Sequence, residues 1–194
     1  MHRFGEDLRL LAATDLSARS DRAVERAAEL ARTWKAPLTL LHVVSDELPR
    51  SVMRAGVDEA EQVLRAQAAP WRESGLDVAC IVAAGHDYEV IIAEARKEDA
   101  RLIVMGTHRK TLLREHWIGT TVDEVVRYGD RPVLVVRQKP ISAYERIIVP
   151  VDFSRPSRQA FEFALLLFPN AKFTVLHAYD VPFKAFLTDP RTAA

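Results

Sequence analysis

The chain has 194 residues, 48% hydrophobic and 28% charged, with 27 Lys plus Arg against 27 Asp plus Glu and a formal net charge of zero. That composition belongs to a folded globular chain and excludes a disordered or fibrous one. The charge balance also argues against nucleic acid as the main ligand, because displacing counterions from many phosphates requires a basic face and usually a basic total.

The chain opens with the acids Glu6 and Asp7 before a short apolar stretch and lacks the long apolar core of a signal peptide. No segment reaches the ~18 continuous apolar residues of a membrane span. The expectation is a cytoplasmic protein with no membrane partner. Leu8 to Ala13 is the first of five short runs rich in Leu, Ile and Val; Leu38 to Val44, Leu76 to Val82, Leu102 to Met105 and Pro132 to Val136 are the others. They predict strands buried on both faces.

Between them the apolar residues take helical spacing. Ala23, Val24, Ala27, Leu30, Ala31 and Trp34 form one stripe, with Arg22, Glu25, Arg26, Glu29 and Arg32 on the other faces. A second stripe runs through Val57, Ala60, Val63, Leu64, Ala68 and Trp71 and stops at Gly75, a C-cap signal. The third begins at Val90, and the fourth carries Val122, Val125 and Val126. Cys80, the single cysteine, lies within an apolar strand run and reads as a small buried thiol.

Strands alternating with helices predict right-handed crossovers and a doubly wound five-stranded parallel sheet, an α/β fold with helices on both faces. Such sheets bind ligands beyond the carboxyl ends of their strands. Asp15 directly follows the first strand and so falls on that edge. A carboxylate there suits a ribose or an adenine amino group. Capping the following helix suits it equally, with Ser17 and Ser20 as rival caps.

The segment after the fourth strand runs from Gly106 through Arg109, Lys110, Arg114 and Gly119 to Thr120 and Thr121. Thr121 with Glu124 fits a capping box and predicts a helix starting near Thr121, whose free N–H groups and dipole suit an anion such as phosphate. Turning and capping the chain are the simpler use of the same residues. His42, His86, His108 and His116 show no metal-ligand spacing, and no Gly-x-Ser-x-Gly elbow or P-loop signature occurs. No metal ligands and no catalytic residues emerge.

Arg137 to Pro140 is polar and ends in proline, which reads as the start of a linker. The pattern then restarts. Leu10 to Ser17 is echoed by Ile147 to Ser154, pairing Asp15 with Asp152 and Ser20 with Ser157 at a shift of 137 positions. After a two-residue deletion, Thr39, Leu41 and His42 pair with Thr174, Leu176 and His177. The expected organisation is a complete domain over 1–138, a linker over 139–144 and a partial β-α-β repeat over 145–194, packed on the first domain or completed by another chain. Residues 145–194 contain no glycine, so the repeat has no counterpart of Gly106 or Gly119.

The Asp15 loop, Leu40-Leu41-His42-Val43, Leu102-Ile103-Val104-Met105-Gly106 and Arg131 to Val136 together resemble the universal stress protein family, over residues 5 to 138. The restart after the linker resembles tandem members. The resemblance implies the five-stranded α/β fold, a role in surviving stress, and a homodimer through the Val133 to Val136 strand. One branch of the family binds ATP through Gly, two residues, Gly, nine residues, Gly, then Ser or Thr. Laid on this chain, the motif gives Gly106, Gly119 and Thr120, with Arg109 where the middle Gly stands.

By the same resemblance Asp15 and Val43 face the adenosine, while Gly106, His108, Gly119, Thr120 and Thr121 surround the phosphates. Ala13, Thr14, Met105 and Arg109 complete the implied set. Arg109 has three readings: it blocks the backbone approach and abolishes ATP binding, it holds phosphate through its guanidinium with Lys110 and Arg114, or it is a solvated cation. The functional expectation is a stress-response module binding ATP or a related adenine nucleotide. The alternatives are a dimeric interaction protein without nucleotide and a weak ATPase, for which Asp15 and His108 are the available bases.

Overall fold

The computed structural model describes residue 4 and residues 7–47, 49–107 and 120–179, with Thr120 represented by its backbone. The chain divides into two compact units, Met1–Ile141 and Ser142–Ala194. The first contains β1 (Leu10–Ala13), α1 (Asp21–Trp34), β2 (Leu38–Val44), α2 (Arg50–Glu73), β3 (Val78–Ala84), α3 (Asp87–Lys97), β4 (Leu102–Gly106), α4 (Thr120–Tyr128) and β5 (Val133–Val136). The strands form one parallel sheet in the order β3-β2-β1-β4-β5. This is the expected α/β fold, with helices on both faces.

Alternation along the strands divides the core into two layers. Leu11, Ala13, Leu41, Ile103 and Met105 point to α3 and α4 and pack with Ile91, Ile92, Ala95, Val122 and Val125. Leu10, Ala12, Leu38, Leu40 and Val104 are buried on the opposite face, where α1 lies over β1 and β4 and α2 over β2 and β3. Each fully buried Leu or Ile contributes roughly 1.5–3 kcal/mol by leaving water. The buried sheet fixes where its strands end, which positions the site.

Several boundaries and exposures differ from the sequence reading. Helix α2 starts at Arg50, directly after the extended Pro49, whereas the apolar stripe begins at Val57. Its first turns carry exposed residues such as Val52 and Arg54, so they offer no apolar period to read. The helix ends as expected: Gly75 has φ 85° and the Leu76 N–H donates to the Trp71 carbonyl at 3.0 Å. Arg26, placed by its spacing on a solvated face, is buried and paired with Glu29 at 2.7 Å. The described part of α4 begins at Thr120, one residue before Thr121, so the helix includes Thr121 where the sequence expects its start. Cys80 is half-buried on the outermost strand β3, with Arg72 Nη2 donating to its Sγ at 3.4 Å.

The second unit contains β6 (Arg146–Pro150), α5 (Arg155–Leu167) and β7 (Lys172–Leu176), with β6 and β7 paired in parallel. Ile147 faces Phe173 in their register, as Leu10 faces Leu38 in the first unit. The Val151 N–H donates to the Leu176 carbonyl at 2.8 Å, the counterpart of Thr14 N–H to Leu41 at 2.9 Å. Val149 and Leu167 are buried, while Ile148, Phe153, Leu176 and Tyr179 are exposed.

Candidate functional site

The strand order reverses at β1, whose two neighbours β2 and β4 lead to helices on opposite faces of the sheet. Outgoing chains therefore part at the carboxyl edge and leave a crevice there. Ala13 is in register with Leu41 on one side and Met105 on the other. This places the end of β1 beside Met105, one residue before the end of β4, and beside Leu41, with β2 running on to Val44 past it. Ala13, Thr14, Asp15, Val43, Met105 and Gly106 thus lie toward the carboxyl edge of the sheet. Val43 packs half-buried against the α3–α4 layer.

The β1–α1 connection is closely braced. Thr14 is buried, and its hydroxyl lies 2.8 Å from that of Ser20, also buried. Thr14 Oγ1 also accepts the Leu16 N–H at 3.0 Å. Leu16 has φ 60°, a left-handed conformation that costs a branched residue roughly 1–2 kcal/mol. Asp15 is exposed, and its Oδ1 accepts the Ser17 N–H at 3.0 Å. The carboxylate thus closes a local turn in place of capping α1. At the helix start Ser20 makes no side-chain capping bond; instead its hydroxyl donates to the Ser17 carbonyl at 2.9 Å.

Gly106 is fixed by the same loop. A Cβ built on it comes within 3.2 Å of Ser20 Cα and 3.4 Å of the Arg19 carbonyl oxygen. The glycine thus lets the β1–α1 backbone lie against the end of β4. Two connections of the crevice are locked together here, independently of any ligand. Across the edge, Thr120 is the first described residue of α4 and Thr121 is half-buried in its first turn. His108, Arg109 and Gly119 lie outside the described residues, as do Lys110 and Arg114.

Two residues escaped the sequence reading. Ser20 was considered only as a helix cap, yet it is the buried partner of Thr14. His42 was weighed as a metal ligand, but its Nδ1 lies 2.9 Å from the Thr14 carbonyl oxygen. Their signal was present in the repeat, which preserves both as Ser157 and His177. Among the described residues no group of three or more His, Cys, Asp or Glu side chains could hold a metal, and no helix is long and apolar enough to cross a membrane.

Comparison with known proteins bears on this crevice. Residues 8–137 match the model of the universal stress protein family. Universal stress protein MJ0577 of Methanocaldococcus jannaschii is 37% identical over 65 residues, which span 34% of this chain and 40% of that protein. A universal stress protein structure from Archaeoglobus fulgidus DSM 4304 superposes with a TM-score of 0.77 at 20% identity, covering 96% of this chain and 71% of its own. Another universal stress protein from Archaeoglobus fulgidus, solved in complex with dAMP, superposes with a TM-score of 0.53 at 21% identity over 66% of this chain and 96% of that one. At these identities the two structural likenesses concern the fold.

Proposed function

The chain belongs to the universal stress protein family, and from that premise we propose that it is a cytoplasmic stress-response module binding ATP or a related adenine nucleotide at the carboxyl edge of its five-stranded sheet. The observation that carries the reading is the register that sets the end of β1 between the carboxyl-terminal parts of β2 and β4, with Gly106 seated against the Ser20 backbone. Asp15 and Val43 flank the adenosine in this arrangement. The start of α4, at Thr120 and Thr121, offers N–H groups and a positive dipole end to phosphate. The complex of an Archaeoglobus fulgidus relative with dAMP supports the ligand class.

In this reading the molecule also pairs with a copy of itself through Val133 to Val136, an edge strand whose first three residues are only half-buried. The second unit, with its Asp152 loop, repeats the start of the first. Its support is the shared register, and the near-complete superposition on a longer Archaeoglobus fulgidus chain.

Arg109 favours a second reading, a dimeric interaction protein without nucleotide, because it stands where the family's ATP motif has a glycine. Mass spectrometry of small molecules released from the purified protein, with an Arg109→Gly variant beside it, separates the two. Adenine nucleotide recovered from the wild type supports the first reading. Nucleotide bound by Arg109→Gly alone identifies Arg109 as the block and supports the second.

A further inference from the structure

We infer that His42 is a positioning residue for the nucleotide-binding loop, acting as an Nδ1-protonated clamp on the Thr14 carbonyl, and that His177 clamps Val151 in the same way; the nucleotide part of this inference rests on the function proposed above. His42 Nδ1 is 2.9 Å from the Thr14 carbonyl oxygen, and His177 Nδ1 is 2.7 Å from that of Val151. A carbonyl oxygen only accepts, so each Nδ1 carries the proton. The neutral ring is then fixed as one tautomer, with Nε2 left as an acceptor.

The clamp sits where β1 leaves the sheet. The Thr14 N–H still bonds to the Leu41 carbonyl, while its own carbonyl is taken by a side chain from the next residue of β2. Both backbone polar groups of Thr14 are thereby tied to β2, immediately before the Asp15 turn and the left-handed Leu16.

The two units isolate what the histidine contributes. Thr14 reinforces the first loop with its hydroxyl, but Val151 occupies that position in the second and has none. The second loop nonetheless keeps the same form. Phe153 has φ 62° where Leu16 has 60°, and Asp152 Oδ1 accepts the Ser154 N–H at 2.9 Å where Asp15 accepts from Ser17 at 3.0 Å. Backbone ladder, carboxylate turn, the serine bonds at the helix start and the histidine clamp are common to both; of these, the clamp is the side-chain contact that comes from outside the loop.

Histidine-selective nitrogen NMR on the labelled full chain, without nucleotide, tests the clamp directly. The inference expects a protonated, pyrrole-type Nδ1 for both His42 and His177; a pyridine-type Nδ1 on His42 overturns it. Two variants extend the test. In His42→Asn the side-chain amide places a donor near the Nδ1 position, and in His42→Leu no donor remains. His42→Asn retains the strong intraresidue amide-to-Hα dipolar coupling (NOE) that marks the positive φ of Leu16, whereas His42→Leu loses it and binds ATP about tenfold more weakly. A His42→Leu variant equal to wild type, or a His42→Asn variant as impaired as His42→Leu, overturns the clamp. If His42→Leu does not fold, the wild-type tautomers and His42→Asn decide. Failure of the wild type to bind ATP refutes the proposed function alone, since the tautomers and the Leu16 coupling still decide the clamp.

Discussion

At the scale of the residue, Gly106 holds the crevice together by what it lacks. Any side chain there meets the backbone of Arg19 and Ser20, which cannot rotate away as a flexible side chain would. Gly106→Val therefore destabilises the protein by about 1–3 kcal/mol, the ordinary cost of overpacking, and pushes the Asp15 loop off β4. Denaturant unfolding measures the first effect, and loss of ATP binding in the remaining folded fraction measures the second. The family resemblance implies this glycine as one of the residues around the phosphates. The close approach that the structure contains is intramolecular, and only the fold brings Ser20 there.

Asp152 supports a prediction in pH. The Ser154 and Ser157 side chains beside it, with the Ser154 N–H donating to its Oδ1 at 2.9 Å, stabilise its carboxylate and hold its pKa well below the usual range. A lowered folded-state pKa means that the bound proton is favoured in the unfolded chain. The carboxylate's contribution to stability is therefore present above the unfolded pKa of about 3.9 and disappears as pH falls through the lower folded value. Carboxyl NMR titration should find Asp152 still ionised below that midpoint, and Asp152→Asn should flatten this part of the acid-unfolding profile. A titration at the ordinary carboxylate value would remove the Ser154 contact from the account.

At the scale of the element, what was legible depended on how each segment meets its neighbours. Buried strands announce themselves as apolar runs, and β2 spans Leu38–Val44 as the run does. The opening turns of α2 carry little apolar surface and so escape a periodicity reading. Arg26 was misplaced for the opposite reason: spacing assigns it to water, but the neighbouring Glu29 carboxylate lets the guanidinium be buried. The α3–α4 layer provides a quantitative check. Ile103, 1% exposed at its centre, should cost about 2–5 kcal/mol when changed to Ala. Val126→Ala, at a position 59% exposed on α4, should cost no more than about 0.5 kcal/mol. Matched thermal or denaturant unfolding of the two variants distinguishes the layer's interior from its rim.

At the scale of the whole molecule, the restart of the sequence pattern after the linker reappears as geometry. The second unit repeats strand register, the left-handed loop residue, the carboxylate turn and the histidine contact. The loop conformation was not legible in either unit, because Phe153 and Leu16 are residues that seldom adopt positive φ. In the proposed function the nucleotide motif lies in the first unit, residues 145–194 having no glycine. The central claim is therefore one adenine-nucleotide site per chain. Calorimetric titration of the folded full-length chain with ATP tests it most directly: the account predicts saturable binding near one nucleotide per chain, lost in Gly106→Val, and folded wild-type protein that gives no binding heat and retains no nucleotide would contradict it.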